Sequence, residues 1–146
     1  MLKGIPPVLS PELLKIMMEM GHGDEIVLAD GNFPAAALAR RLVRADGHGV
    51  PALLDAMLRL FPLDGYVPKP AALMAVVPGD DVQTPIWEEY KALLLRHESV
   101  SGDSIEYMER FAFYERARNA YAIVATGERA QYANIILKKG VVRHND

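Results

Sequence analysis

Short apolar runs bounded by glycine, proline or aspartate alternate along this chain with segments of helical periodicity, and this alternation constrains the fold more than any other feature. The clearest run, residues 26–29, is rich in aliphatic and β-branched side chains and is bounded by turn formers, so it is predicted to be a buried strand. The same pattern predicts further strands at 42–45, 71–77, 105–108, 121–126 and 135–137.

The intervening segments carry helix signals. Ser10 supplies a capping hydroxyl before a proline and a glutamate, and Gly21 is predicted to end that helix in the left-handed conformation. Asn32 is predicted to cap a short helix that begins at Pro34. Further helices are predicted at 51–60, from 84 to 94 and around 110–116, and the polar segment 97–103 is predicted to be a mobile loop.

Alternating helices and strands define an α/β fold in which helices cover a largely buried sheet. A short link joins the last two predicted strands, which indicates an antiparallel or mixed portion of the sheet. The chain has 146 residues, 51% of them hydrophobic, without an internal repeat or a domain boundary. A single compact domain over residues 1–146, with a mixed β-sheet covered by helices, is therefore expected.

Composition excludes several classes of function. The chain has no cysteine, which excludes disulfides, thiolate metal sites and cysteine nucleophiles and fits a reducing compartment. A net charge of −3 gives no indication of a nucleic-acid or membrane partner. No apolar run resembles a signal peptide or reaches the length of a membrane span, so a cytoplasmic location is expected.

Polar side chains flank the predicted strand at 26–29. His22 precedes the strand, and Asp30 follows it at the carboxyl end, where open α/β sheets usually bind ligands. Histidine titrates near neutral pH and suits general acid–base chemistry. The alternative interpretations are a loop histidine that caps helix carbonyls and a turn aspartate that bonds the backbone. Asp24 and Glu25 are interpreted as turn residues or interface contacts.

Other chemistries lack the residues that they need. The chain's four histidines show no metal-ligand spacing, and Gly21-His22-Gly23 precedes its strand and lacks the third glycine of a dinucleotide-binding loop. A serine-nucleophile elbow is absent, and Asp30 lacks the second acid that would support a phosphoryl acceptor. General acid–base chemistry remains, and neither a metal nor a cofactor is expected.

Two later segments offer further ligand contacts. Arg110 and Arg116 do not easily share one helix face, so one is expected to face solvent while the other reaches a ligand. Tyr132 and Asn134 occupy alternate positions of a segment predicted to be extended, so both side chains would point the same way. A phenol and an amide suit a polyhydroxylated ligand, and ordinary strand-edge polarity is the alternative explanation.

Motifs along nearly the whole chain resemble those of the family of ribose pyranases and L-fucose mutarotases. They are Ser10-Pro11-Glu12-Leu13-Leu14, Gly21-His22-Gly23-Asp24-Glu25, Asp30 with Phe33-Pro34, Arg44-Ala45-Asp46-Gly47, residues 110–117, Thr126-Gly127-Glu128 and residues 132–137. The run at 110–116 and the turn at 32–34 resemble the fucose branch, since ribose enzymes are expected to carry histidine near the position of Arg110.

The resemblance implies an isomerase that interconverts the α and β anomers of L-fucose, with accompanying ribose pyranase activity. It implies that His22 is the general acid, that Asp30 and Arg110 contact the sugar, and that Tyr132, Ala133 and Asn134 form a sugar-binding triplet. It further implies a free monosaccharide substrate, no cofactor, and homo-oligomers, decameric in bacterial members, with sites near subunit contacts. The alternatives are a non-catalytic monosaccharide-binding or transport-associated protein and a ribose pyranase.

Overall fold

The computed structural model describes all 146 residues as alternating helices and strands. The helices are α1 (Pro11–Glu19), α2 (Ala35–Leu38), α3 (Val50–Leu58), α4 (Ile86–Glu98) and α5 (Arg110–Asn119), with a short 3₁₀ turn at Gly102–Ser104. The strands are β1 (Glu25–Ala29), β2 (Leu42–Ala45), β3 (Ala71–Met74), β4 (Ile105–Met108), β5 (Ala122–Thr126) and β6 (Ile135–Lys138). None of the helices combines the length and apolarity that crossing a membrane requires.

The six strands form one mixed sheet in the order β2-β5-β1-β6-β3-β4. β1, β2 and β5 pair in parallel, as do β3 and β4, and β6 is antiparallel to both of its neighbours, β1 and β3. The predicted mixed sheet is therefore confirmed. Its antiparallel strand lies in the centre, and β1 separates the consecutive strands β5 and β6.

Both faces of the sheet are covered by helices. Along β1, Ile26 and Leu28 pack on the face that α1, α3 and α4 cover, whereas Val27 and Ala29 pack on the face of α2 and α5. All four of these side chains are fully buried. Strands buried on both faces read as continuous apolar runs, which is why the sequence pattern located them. The predicted α/β class is confirmed.

The helix α1 begins as predicted but ends differently. The Ser10 hydroxyl accepts a hydrogen bond from the Leu13 N–H at 3.1 Å. At the other end, Met20 is extended, and Gly23 rather than Gly21 has a positive φ, +88°. The Asp24 N–H donates to the Gly21 carbonyl at 3.1 Å, which makes Gly23 the third residue of a tight turn. A positive φ at that position is the requirement of a type II turn.

Three other local predictions are wrong in detail. Asn32 does not cap α2, whose N-cap position is Pro34 without a side-chain bond. The helix α4 continues to Glu98, so His97 belongs to its last turn, 2.6 Å from an Asp55 oxygen, and not to a loop. Strand β3 ends at Met74, short of the predicted residue 77.

Candidate active site

A pocket of about 220 Å³ opens at the carboxyl edge of the parallel strands. Asp30 follows β1, Met74 ends β3, Arg110 begins α5, and Tyr132 and Asn134 precede β6. The other lining residues are Asn32, Phe33, Asp80, Tyr114 and Gln131. Pockets for drug-sized ligands measure about 300–1,000 Å³, so this one suits a smaller molecule.

Asp30 is one of two buried polar residues of the pocket, with only 6% of its surface exposed; the other is Asn134, at 4%. One carboxylate oxygen accepts from the Asn32 N–H at 3.0 Å, and the other accepts from the Ala133 N–H at 3.4 Å. The Asp30 N–H donates to Oδ1 of Asn134 at 2.7 Å, which leaves the NH₂ group of Asn134 as a donor. The backbone thus holds the acceptor and the donor side by side.

Burial raises the pKa of the Asp30 carboxyl, because removal from water disfavours the charged form. Hydrogen bonds from the backbone N–H groups of Asn32, Ala133 and Phe33 oppose this effect, and the nearby Glu128 carboxylate adds to it. The net result is a carboxyl that takes up a proton more readily than an exposed aspartate does. Such a group, at the wall of a cleft, is suited to contact a ligand.

Tyr132 adopts a left-handed backbone conformation, with φ at +55°, which is uncommon for a bulky residue. The Trp87 indole N–H donates to its carbonyl at 2.7 Å, and its hydroxyl donates to Asp80 at 2.5 Å. The hydrogen bond to Asp80 is the main reason that the pKa of the Tyr132 hydroxyl is raised. The predicted extended conformation is wrong here, yet Tyr132 and Asn134 both line the pocket.

Arg110 and Arg116 of α5 have different partners. Arg116 forms a partly buried ion pair with Glu25 and another with Glu106, at 2.9 Å. Arg110 lines the pocket, stacks over the ring of Phe111 at 4.7 Å and makes no hydrogen bond or ion pair within the chain. Arg110 is therefore the arginine available to a ligand, whereas Arg116 is committed to the fold and does not simply face solvent.

Ala133 is fully buried and does not line the pocket. Its N–H donates to Asp30, and its carbonyl accepts from the Tyr90 hydroxyl at 2.7 Å. In a single chain Ala133 therefore supports Asp30. A direct contact of Ala133 with a ligand stays a prediction.

His22 lies at the opposite edge of the sheet from the pocket. It comes before β1, and the five-residue strand, roughly 16 Å long, separates it from Asp30. Its Nε2 lies 3.0 Å from a carboxylate oxygen of Asp64, and its ring centre lies 5.2 Å from that of Tyr66. The His22 side chain is 45% exposed. One chain thus brings four of the predicted site residues together and leaves His22 apart.

Asp64 is a residue that the sequence did not single out. Its side chain is only 4% exposed, and burial by itself would raise its pKa. Hydrogen bonds from the Tyr66 N–H and from His22 outweigh burial, so the pKa of Asp64 is lowered. The ionised carboxylate orients the His22 ring. Asp24, by contrast, accepts from the Gly21 N–H at 2.7 Å, as a turn residue does.

Tyr114 and Asp80 were also missed as pocket residues. The Tyr114 ring packs edge-on against Phe33, with 5.3 Å between ring centres, and faces the pocket. Asp80 follows a Pro-Gly pair that reads simply as the end of a strand. Only the spacing of Tyr114 could have placed it in the pocket. It lies four residues after Arg110, so both lie on one face of the same helix.

The fold and the pocket define a single-domain α/β protein with a small polar ligand site at the carboxyl edge of a mixed sheet. Residues 3–142 match the model of the RbsD / FucU transport protein family. The chain belongs to this family, which confirms the membership that its motifs predicted.

Similar proteins cover almost the whole chain. The fucose mutarotase of Homo sapiens is 54% identical over 150 residues, which are 99% of this chain and 96% of that protein. The crystal structure of a Streptococcus pneumoniae fucose mutarotase in complex with L-fucose matches with a TM-score of 0.93 and 55% identity, over 97% and 100% of the two chains. The structure of FucU from Bifidobacterium longum matches with a TM-score of 0.94 and 57% identity, over the same shares.

Proposed function

We propose that this protein is a sugar mutarotase that interconverts the α and β anomers of L-fucose. The observation that carries the proposal is the pocket itself, which gathers Asp30, Arg110, Tyr132 and Asn134 although they come from distant parts of the chain. The similarity to proteins named fucose mutarotase, one of them in complex with L-fucose, supports the choice of sugar.

The reaction needs only proton transfers. Opening the hemiacetal ring requires a proton on the ring oxygen and removal of the proton from the anomeric hydroxyl, and ring closure on the other face reverses both transfers. We propose that His22 gives the ring oxygen its proton. No electron or phosphoryl group moves, so the chemistry calls for no cofactor. General acid–base help of this kind contributes about 10²–10⁴-fold.

The lining of the pocket suits a deoxy sugar. The Asp30 carboxylate accepts hydrogen bonds from hydroxyl groups, and the Arg110 guanidinium and the Asn134 NH₂ group donate them. Phe33 and Met74 form an apolar part of the wall, which would suit the methyl group of a 6-deoxyhexose. This combination favours L-fucose over ribose, which has no such methyl group.

We further propose that the complete site needs a second copy of the chain. His22 lies at the far edge of the sheet from its own pocket, so proton transfer requires His22 from a neighbouring protomer. A closed homo-oligomer, such as the decameric ring that the motif resemblance implies, would supply it to every pocket. The absence of cysteine fits the reducing cytoplasm, which we propose as the location.

Saturation-transfer NMR between the two anomeric protons of L-fucose tests the activity. We expect the protein to accelerate transfer of saturation between them, and to do so less for D-ribose, D-galactose and L-rhamnose. The distance between His22 and the pocket in one chain favours a second candidate, a sugar-binding protein without catalysis. Binding of L-fucose without faster exchange would establish that second candidate.

Mixing two inactive variants tests the shared site. His22→Gln removes the acid and leaves the pocket, whereas the double variant Asp30→Asn/Arg110→Met removes the anion and the cation of the pocket and leaves His22. If neighbouring protomers share the site, co-expression of the two variants should restore activity at about a quarter of the sites. If one chain held the complete site, the mixture would stay as inactive as its components.

A further inference from the structure

Lys139, which directly follows β6, anchors the turn that carries His22 to the rest of the chain. The Lys139 carbonyl accepts from the Gly23 N–H at 2.8 Å, and the Lys139 N–H donates to the Asp24 carbonyl at 2.8 Å. These two bonds continue the pairing of β1 with β6 into the turn. The backbone on the carboxyl side of His22 is thereby fixed.

The side chain of Lys139 fixes the other side of the same turn. Its ammonium group donates to the carbonyls of Met17 and Met20, at 2.7 and 2.6 Å. These carbonyls lie at the end of α1, where the helix dipole is negative, and the last turn of α1 has no basic residue. No carboxylate of the chain forms an ion pair with Lys139. Its positive charge therefore stabilises the carboxyl end of α1.

The same end of β6 also places the partner of His22. The Asp64 N–H donates to the Lys138 carbonyl at 3.0 Å, one residue before Lys139. His22 and Asp64 are therefore both tied to adjacent residues of one strand end. The 3.0 Å contact between their side chains depends on this shared support.

Two hydrogen bonds between Gly21 and Asp24 close the turn, but glycines flank His22 on both sides. Glycine allows more backbone conformations than any other residue, so a turn with this composition needs anchors outside itself. A displacement of about 1 Å in a reacting group can cost a factor of about 100 in rate.

We propose that Lys139 is a positioning residue for the catalytic acid. Its ammonium group sets the direction in which the His22 side chain projects from the protein surface. This inference rests on the proposed role of His22 as the general acid. Lys139 itself touches neither the pocket nor the sugar.

Lys139→Met tests the inference, because it removes both ammonium bonds and keeps the aliphatic stem and the backbone bonds. We expect kcat for L-fucose exchange to fall by about 10–100-fold, while KM changes by less than about threefold because the pocket is untouched. Lys139→Arg should restore most of kcat. Lys15→Met is the matched control, since Lys15 is an exposed lysine of α1 that pairs only with Glu19, at 3.7 Å; it should change neither constant.

The NMR cross-peak of the His22 Cε1–H group provides a second readout that does not need activity. It should shift or broaden in Lys139→Met and return in Lys139→Arg. A folded Lys139→Met protein with wild-type kcat and an unchanged His22 cross-peak would overturn the inference, as would a rise in KM at constant kcat. If Lys139→Met does not fold, Lys139→Gln carries the same comparison. If the wild type shows no anomer exchange, the proposed function fails, and the cross-peak still decides the role of Lys139.

Discussion

The two edges of the sheet each hold a buried aspartate, and their environments give these carboxyls opposite properties. Asp30, at the carboxyl edge, is 6% exposed, and Asp64, at the amino edge, is 4% exposed. The pKa of Asp30 is raised by burial. The pKa of Asp64 is lowered, because hydrogen bonds from Tyr66 and His22 overcome the effect of burial. Burial alone therefore does not decide what a carboxyl does.

The groups that bond to each carboxyl decide its role. Asp64 is committed to an imidazole of its own chain, whereas Asp30 meets only backbone N–H groups and keeps its remaining acceptor capacity for a ligand. These environments suit the carboxyl edge to bind a ligand and the amino edge to present a histidine, as proposed above. If this division is correct, changes at the two edges should alter different measurable quantities.

The largest effect is expected at the amino edge, from His22→Gln. Exchange of L-fucose anomers should slow by about 10²–10⁴-fold, because the proposed proton donor to the ring oxygen is lost. Affinity for the sugar should stay within a few-fold of the wild type, since the residues that line the pocket are unchanged. Saturation transfer measures the rate, and calorimetry measures the affinity. His144→Gln, in the exposed tail, is the control, and a His22→Gln protein with wild-type exchange would remove His22 from the mechanism.

Arg116→Met should lower the free energy of unfolding, because Arg116 stabilises the amino edge of the sheet. The Arg116 guanidinium pairs with Glu25 at the start of β1, and their side chains are only 20% and 16% exposed. Loss of one partner leaves a partly buried carboxylate without its charge partner, which typically costs about 3–5 kcal/mol. Urea denaturation measures the loss in the free energy of unfolding. Arg118→Met, which breaks an exposed pair on the same helix, should cost less than about 1 kcal/mol, and equal losses would refute the distinction.

Features that depend on neighbouring residues were predictable from the sequence. The strands appeared as apolar runs because both faces of the sheet are covered, and Asp30 was selected by its place at the end of such a run. The Ser10 cap was likewise a local signal. Gly21 and Gly23 mark the limit of this approach, because two glycines on either side of His22 look alike until the turn geometry assigns the positive φ to one of them.

Features that depend on distant residues were not predictable. Sequence spacing showed that Arg110 and Arg116 differ, but the partner that claims Arg116 is Glu25, 91 positions away. Asp64 and Asp80 lie in turns with proline or glycine, where an aspartate is expected whether or not its side chain reaches another element. The separation of the pocket from His22 follows from the length and direction of β1. A joint site of His22 and the pocket therefore requires two protomers.

Arg110→Met should affect only the carboxyl edge. Hydrogen bonds to a charged group contribute about 1.5–3 kcal/mol, so affinity for L-fucose should fall by roughly 10–100-fold. Stability should change little, because Arg110 has no ion pair in the chain to lose. Calorimetric titration with L-fucose, together with urea denaturation, separates the two quantities. A loss of stability without a loss of affinity would place Arg110 with Arg116 as a structural residue.

The smallest effect expected is a pH dependence that belongs to Asp30. Because its pKa is raised, protonation should turn one of its acceptor oxygens into a donor at a pH above the pKa of an ordinary aspartate, which is near 3.9. Affinity for L-fucose should therefore weaken by a few-fold as the pH falls through this raised value. The contribution of Asp30 to folding has the opposite sign: it is fully present below the unfolded pKa and is lost as the pH rises through the raised folded pKa. Asp30→Asn should weaken binding and should abolish the loss of affinity at low pH. If the affinity of Asp30→Asn still falls at low pH, the titration belongs to another group.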